Sequence, residues 1–178
     1  MPATASVAEV RRLVTATTAP DVWLTLVGEL DASTRDAVAV LDPANTSECM
    51  MSTDIRPGIV PTEVAIEQDG SVAYARIHVD GELAARGQVA VNADDAVFDR
   101  IRTTSAFQRR GLGRLVMTGL AAWAAEKQAT TGILVASASG RKLYENLGWI
   151  QVAPIAMFRG RGERESATRH NSAVVSRA

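Results

Sequence analysis

A loop that ends in two closely spaced glycines is the first segment whose residue types and spacing point to chemistry. Residues Gln108–Gly113 read QRRGLG and stand between a strand-like run and an apolar, helix-like run. Backbone N–H groups at a helix N-terminus have no partner within the helix and carry the positive end of its dipole, so they bind phosphate. Glycines let the backbone approach an anion closely, and Arg109, Arg110 and Arg114 add charge-assisted contacts. The loop is therefore a candidate phosphate site; a capped helix with solvated arginines is the alternative.

Two familiar phosphate loops do not fit this spacing. A dinucleotide-binding loop requires G-x-G-x-x-G, but Val116 stands where the third glycine would follow Gly111 and Gly113. A P-loop requires G-x-x-x-x-G-K-[ST], and no such string occurs in the chain. The loop shares the physics of these motifs without matching either of them.

An amphipathic helix is predicted behind the loop, from about Gly111 to Lys127. Its apolar stripe recurs at helical spacing and consists of Leu112, Leu115, Val116, Gly119, Leu120 and Trp123. Glycine costs about 1 kcal/mol against alanine within a helix, so we expect Gly119 to be there for close packing. The helix would thus support the loop from a buried position.

Four strand-like runs precede the loop, over residues 62–104. They read TEVAIEQ, SVAYARIHV, ELAARGQVAV and AVFDRIRT. Asp-Gly pairs at Asp69–Gly70 and Asp80–Gly81 separate the first three runs, and such a pair between strands is a strong hairpin signal. Asn92–Asp95 separates the last two. The pattern predicts an antiparallel meander.

The segments after the loop helix complete a predicted α/β chain. We predict a strand over Gly132–Ser137, a helix over Gly140–Leu147 and a strand over Trp149–Phe158. Residues 1–158 are predicted to form a single domain. Residues 159–178 are polar and charged, which predicts a disordered tail.

The segments before the meander carry weaker signals. Helices are predicted over Ser6–Thr15, with Ser6 as its N-cap, and over Asp31–Leu41. Asp21–Leu30 is an apolar run too short to assign. Asp42–Pro61 contains three prolines and little periodicity, so we predict a loop with at most one short helix.

Two of these motifs, taken together, resemble the GNAT superfamily of acetyl-CoA-dependent N-acyltransferases. Gln108–Gly113 is similar to its R/Q-x-x-G-x-G/A element, and Leu143–Trp149, LYENLGW, is similar to its L-Y-E-x-x-G-F/W signature. The order of strand, loop and helix, strand, and tyrosine-bearing helix also agrees, over about residues 62–158. The resemblance implies an α/β (α+β) fold with a mixed, mostly antiparallel, twisted sheet of six or seven strands and helices on both faces.

The resemblance implies acetyl-CoA as the cosubstrate. Its pyrophosphate would bind the backbone amides of Gln108–Gly113, which include Leu112, beside the arginines already named. Its pantetheine would follow Ile101, Arg102 and Thr103, where a backbone N–H would act as an oxyanion donor. The cofactor would fit a gap where this strand and the GILVAS strand part. Ser137 stands where many members have asparagine, and it is the corresponding contact here.

The resemblance implies Tyr144 as the general acid that protonates the leaving CoA thiolate. A phenol, with a reference pKa of about 10, suits this role. An aromatic ring that only fills space beside the helix is the alternative.

The acceptor amine also requires a base. Some members use a carboxylate on the strand before the loop, and Asp99 is the nearest candidate. Side-chain alternation predicts Asp99 on the face that carries Val97, Ile101 and Thr103. An ordinary salt-bridging role for Asp99 stays open. Other candidate bases are His78, Glu29 and Glu63, and a water chain could replace all of them.

Composition argues against several other classes of protein. The chain has 178 residues and a net charge of −1, from 19 basic and 20 acidic residues, which disfavours a nucleic-acid or membrane-surface binder. No apolar run of about 18 residues occurs, and the N-terminus does not read as a signal peptide. The only histidines are His78 and His170, so no metal site is expected. Cys49 is the single cysteine, which favours a cytoplasmic location.

We therefore expect an enzyme that moves an acetyl group to a primary amine of a small molecule or peptide, by direct transfer in a ternary complex. A non-catalytic CoA-binding or regulatory module of the same fold is the alternative, and a nucleotide-phosphate binder is a weaker one. An antibiotic, a polyamine, a free amino acid and a protein N-terminus all stay open as acceptors, and so does a homodimer. Only two basic residues are lysines, which hints at a high-G+C bacterial genome.

Overall fold

The computed structural model describes residues 6–162. Within this range the chain forms eight strands and four α-helices. The strands are β1 Trp23–Val27, β2 Asp42–Asp54, β3 Ala65–Asp69, β4 Val72–Val79, β5 Glu82–Asn92, β6 Asp95–Thr103, β7 Thr131–Ala136 and β8 Ile150–Arg159. The helices are α1 Val7–Ala16, α2 Ala32–Val38, α3 Leu112–Glu126 and α4 Arg141–Glu145. None of these helices combines the length and the apolar character that crossing a membrane requires.

Contacts divide the described chain into two compact units. The first consists of residues 6–25, 30–44 and 157–162, and the second of residues 26–29 and 45–156. In the first unit α1 packs against α2. A capping box starts α1: the Ser6 hydroxyl accepts from the Glu9 N–H, and the Glu9 carboxylate accepts from the Ser6 N–H at 2.8 Å.

The last described residues belong to the first unit. Arg161 Nε donates to Asp42 Oδ1 at 2.9 Å, and the Gly162 N–H donates to the Thr18 carbonyl at 2.9 Å. The predicted tail began at Arg159, so residues 159–162 of it have a defined structure. The rest of the predicted tail, residues 163–178, lies outside the described residues.

The sheet has the strand order β1-β8-β2-β7-β6-β5-β4-β3. The meander is confirmed: β3, β4, β5 and β6 pair in succession, each antiparallel to the next. The β4–β5 turn has positive φ at both Asp80 and Gly81, as a tight hairpin of this type requires. In contrast, β6 and β7 are parallel neighbours, which makes the sheet mixed.

A β-bulge interrupts the pairing of β5 and β6. Gln88 pairs with Asp99 and Arg86 pairs with Arg102, so Gly87 stands opposite the two residues between them. One of these, Arg100, has a left-handed φ of 55°. The bulge changes the side-chain alternation along β6, so that the residues after it do not continue the pattern set before it.

Helices α3 and α4 lie on one face of the second unit's sheet, which we call the helix face. A Cβ atom built at Gly87 would approach Val116 Cγ1 of α3 to 2.8 Å, so Gly87 faces this helix. The core on this face includes Val89, Phe98, Val116, Leu120 and Leu134, all buried. The predicted close packing at Gly119 is also present, because an added Cβ would lie 2.9 Å from Val64 Cγ1.

The predicted fold class is confirmed, but the predicted strand count of six or seven is wrong. The additional strand is β2, which covers much of the segment predicted to be loop. Its residues Cys49–Asp54 pair with β7, and burial alternates through Cys49 and Met51 on the helix face. The single proline inside β2, Pro43, lies near its start, before the part that pairs with β7. The unassigned run Asp21–Leu30 contains β1.

Candidate functional site

A gap opens in the sheet between β6 and β7, beside the start of α3. The two strands pair only from Asp95 with Thr131 to Phe98 with Leu134. Beyond this point β6 continues to Thr103 and β7 to Ala136 without pairing. On the β7 side, the backbone of Ile101–Thr103 therefore has no strand partner, where a gap was predicted.

The glycine loop presents a row of backbone donors that have no partner in the part of the chain that the structure describes. The N–H groups of residues 109–113 have no acceptor among the described residues, whereas Arg114 and Leu115 donate to the Gly111 carbonyl at 3.0 and 3.2 Å. Arg109 and Gly111 adopt left-handed φ values of 64° and 78°. Such alternation in a turn forms a concave nest of N–H groups that suits an anion. Glycine adopts this conformation at Gly111 with no steric cost.

The side chains of the loop add positive charge, and one of them connects the loop to β6. Arg109, Arg110 and Arg114 are exposed, and the Arg110 guanidinium lies 5.5 Å from the centre of the Phe107 ring. Gln108 Nε2 donates to the Thr103 carbonyl at 3.4 Å, which connects the loop to the end of β6. In contrast, Leu112 is buried, so it offers only its backbone N–H to a ligand.

Gly113 lies where the loop, β6 and α4 come together. An added Cβ atom would lie 3.2 Å from Leu143 Cδ2 and 3.7 Å from Thr103 Oγ1. Glycine therefore permits the start of α3 to approach both the strand and the tyrosine-bearing helix.

Tyr144 lies on α4 with its ring in the core. The residue is only 8% exposed, and its ring centre is 6.2 Å from that of Trp149. Trp149 in turn meets Phe98 of β6 edge to face at 5.2 Å. The hydroxyl has no hydrogen-bond partner among residues 6–162 and is not one of the buried unpaired atoms, so it keeps access to solvent.

Burial raises the pKa of the Tyr144 phenol above its ordinary value, and the negative charge of Asp99 raises it further. The phenol is therefore protonated at neutral pH, as a general acid must be.

Asp99 lies at the bulge, and its predicted face is wrong. It shares a face with Val97 and Arg102, the open face opposite the helix face, whereas Ile101 and Thr103 lie on the helix face. The cause is the left-handed residue Arg100, which inserts one extra position between them. Asp99 Oδ1 accepts from the Arg100 N–H at 2.6 Å, and Oδ2 lies 3.6 Å from Arg100 Nε. The carboxylate thus also stabilises the bulge.

The other candidate bases do not lie at the gap. His78 is on β4 and Glu63 precedes β3, two and three strands away from β6. Glu29 follows β1, the edge strand on the other side of the gap, three strands away from β7. Ser137 follows β7 and its hydroxyl accepts from the Gly140 N–H at 3.2 Å, which supports the start of α4.

Two features of the site were missed in the sequence. The bulge has a signal in Gly87, since an isolated glycine inside a strand favours a bulge or a close approach of another chain segment. Arg86 and Arg102 face each other on the open face, and only the register across the bulge shows this. Within residues 6–162, no group of three or more histidine, cysteine, aspartate or glutamate side chains could hold a metal ion.

Comparison with known proteins agrees with this geometry. The model of the acetyltransferase (GNAT) domain matches residues 59–161, which is more than half of the chain. No curated protein sequence matches the chain significantly.

Solved structures show the same fold at low sequence identity. A GNAT-family acetyltransferase structure from Novosphingobium aromaticivorans is 16% identical, with a TM-score of 0.65 over 90% of this chain and 83% of that one. A GCN5-related N-acetyltransferase from Kribbella flavida is 18% identical, with a TM-score of 0.65 over 89% and 77%. A tandem GNAT protein of the clavulanic acid biosynthesis pathway is 10% identical, with a TM-score of 0.60 over 76% and 62%.

Proposed function

Because this chain belongs to the GNAT acetyltransferase family, we propose that it transfers an acetyl group from acetyl-CoA to a primary amine of a small molecule or peptide. The observation that carries the proposal is the gap between β6 and β7, which opens next to the unpaired amides of residues 109–113. The transfer is direct, within a ternary complex of enzyme, acetyl-CoA and amine.

The residues at the gap suit acetyl-CoA. The nest of N–H groups and the exposed Arg109, Arg110 and Arg114 would bind its pyrophosphate. The β7 side of the Ile101–Thr103 backbone, which has no strand partner, would bind its pantetheine, and a backbone N–H there would stabilise the negative charge that develops on the carbonyl oxygen. Acetyl-CoA itself supplies the activated acyl group. Ser137, at the end of β7, lies on the other side of the same gap.

The transfer requires two protons to leave the acceptor ammonium, one before attack and one after it, and one proton to reach the leaving group. An alkylammonium has a pKa of about 10.4, so it must lose a proton before its nitrogen attacks. In our proposal Asp99, directly or through water, takes this proton. The nitrogen then bonds to the acyl carbon while the bond from that carbon to sulfur breaks.

Tyr144 completes the proton balance. Its hydroxyl donates a proton to the thiolate sulfur, and the proton that the new amide nitrogen loses restores the phenol. The raised pKa of Tyr144 supports this role, because it keeps the phenol protonated until the thiolate forms.

Turnover tests the proposal. The protein is mixed with acetyl-CoA and a panel of primary amines, and release of the CoA thiol is measured above hydrolysis, with propionyl-CoA alongside to test the acyl preference. Acetyl-CoA affinity is measured in parallel by calorimetry. Amine-dependent thiol release is the expected result. Binding of acetyl-CoA without transfer to any amine would favour the non-catalytic CoA-binding module, and preference for ATP over CoA would favour a nucleotide site.

A further inference from the structure

Three arginines form a row across the open face of the meander. Arg76 on β4 pairs with Arg86 on β5, and Arg86 pairs across the bulge with Arg102 on β6. Paired residues of neighbouring strands point to the same face, so the three side chains stand side by side. We call them the arginine row.

Residues 6–162 neutralise the positive charge of the arginine row only in part. Like charges directly opposite each other destabilise a sheet. Arg76 forms a salt bridge with Glu67. Arg86 and Arg102 are exposed and have no salt bridge or side-chain hydrogen bond to any residue within 6–162. The chain as a whole has a net charge of −1, so this is a local concentration of positive charge.

The surface around Arg86 is concave. Arg86 contributes to a shallow depression of about 210 Å³ that also includes Tyr74 and Arg100. It contributes to a second one, of about 270 Å³, that also includes Arg102 and Thr104. A guanidinium at such a position binds carboxylate or phosphate through two parallel hydrogen bonds.

The arginine row lies on the open face of the sheet, and its member Arg102 is on β6, the strand that borders the gap. On the helix face, the gap is bordered by the buried residues Phe98, Tyr144 and Trp149. On the open face, Asp99 stands in the side-chain row next to Arg102. Adjacent rows on one face of a strand are about 7 Å apart. Arg102 is therefore the member of the arginine row nearest the gap, and Arg86 stands beside it on the next strand.

We propose that the acceptor amine carries a carboxylate or phosphate group, and that Arg86 and Arg102 bind this group. The inference rests on the proposed function and narrows its substrate class to small amines that also bear an anion. It disfavours polyamines, which Arg86 and Arg102 would repel.

Matched pairs of acceptors test the proposal. In each pair only one amine bears the anionic group: β-alanine is compared with β-alaninamide for a carboxylate, and aminoethyl phosphate with ethanolamine for a phosphate. In the double variant Arg86→Gln, Arg102→Gln we expect kcat/KM for an anionic acceptor to fall about 10- to 100-fold, the loss of charge-assisted hydrogen bonds. The selectivity, which is kcat/KM for the anionic acceptor divided by kcat/KM for its neutral partner, should fall by the same factor. The control double variant Arg11→Gln, Arg56→Gln removes the same charge from exposed sites elsewhere. It should change kcat/KM for neither the anionic nor the neutral acceptor. An equal loss for both members of a pair would overturn the proposal.

A binding measurement tests the arginines without turnover. The arginine Nε–H signals are followed by NMR while inorganic phosphate or acetate is added to protein saturated with CoA. We expect shifts at Arg86 and Arg102 and none at the exposed Arg11 and Arg56, and no shift at Arg86 and Arg102 would overturn the inference. If neutral amines are acetylated and neither anion binds, the inference fails while the proposed function stands. If an anion binds and no amine is acetylated, the proposed function fails and the anion site remains.

Discussion

Tyr144 is the residue whose replacement best separates chemistry from packing. Its ring is buried beside Trp149, while its hydroxyl has no partner among the described residues. Tyr144→Phe keeps the ring and removes only the proton donor. We expect kcat to fall by about 10²- to 10⁴-fold, the contribution of a general acid, with acetyl-CoA affinity nearly unchanged. Steady-state kinetics and calorimetry on the two proteins measure this. A fall of less than threefold on the chemical step would leave Tyr144 with a packing role alone.

The same residue predicts how stability depends on pH. The pKa of Tyr144 is raised in the folded protein, by burial and then by Asp99. The unfolded chain therefore loses this proton first, at a pH of about 10. The free energy of unfolding should fall as pH rises from there through the folded pKa, because the native state then binds more protons.

Urea unfolding between pH 8 and 11 measures this effect. Tyr144→Phe should show a shallower decline above pH 10 than the wild type. Tyr74→Phe, on the open face, is the matched control for loss of a hydroxyl. An identical decline in wild type and Tyr144→Phe would contradict the linkage.

Individual residues could be predicted from the sequence only where the backbone is regular or glycine marks an exception. Gly111 has the positive φ that a glycine before a helix suggests, and Tyr144 lies on the predicted helix. Asp99 was predicted on the wrong face, because a left-handed arginine is not visible in a pattern that assumes strict alternation. The roles of Tyr144, Asp99 and the loop residues stay predictions.

At the scale of elements, the contact between the start of α3 and α4 leads to a test of the loop. A valine side chain at position 113 would press on Leu143 and Thr103, since even an added Cβ lies 3.2 Å from Leu143 Cδ2. We expect Gly113→Val to weaken acetyl-CoA binding at least tenfold, because the amides of residues 109–113 would move away from their common centre. Calorimetry measures the affinity, and circular dichroism verifies the fold.

Gly58→Val is the matched control for this variant. An added Cβ at Gly58 meets its nearest neighbour, Ala122 Cβ, at an ordinary 3.7 Å, far from the loop in sequence. It should leave acetyl-CoA affinity within threefold of the wild type. A folded Gly113→Val protein with unchanged affinity would show that the loop amides do not bind the cofactor.

Elements with strong periodicity were predicted well, and those stabilised by distant partners were not. The meander follows from its Asp-Gly turns, and α3 from an apolar stripe that spans about three turns. β2 was missed because the residues that identify it as a strand, Cys49–Asp54, are stabilised by β7, some 80 residues away in sequence. Its exposed first half has no apolar alternation to reveal it.

At the scale of the whole molecule, the family match covers residues 59–161 and leaves the preceding segment outside it. That segment contains α1, β1, α2 and β2. In the structure the side chains of Ser6 and Asp31 each accept a helix N–H group. Sequence patterns predicted both helices of this segment, with Ser6 as the N-cap of the first. They did not indicate that contacts divide the described chain into two compact units.

Acetyl-CoA binding should stabilise the unit that contains the gap. A ligand that binds only the folded state at 100 times its Kd adds about 2.7 kcal/mol to the free energy of unfolding. For a chain of this size, each kcal/mol raises Tm by about 2–4 °C, so we expect a rise of about 5–10 °C. Scanning calorimetry with and without acetyl-CoA measures it. If the two compact units unfold in separate transitions, only the Tm of the second unit should rise, because the loop, β6 and α4 all belong to that unit. At the same acetyl-CoA concentration, Gly113→Val should show a much smaller rise. An equal rise in both proteins would place the binding site outside the loop.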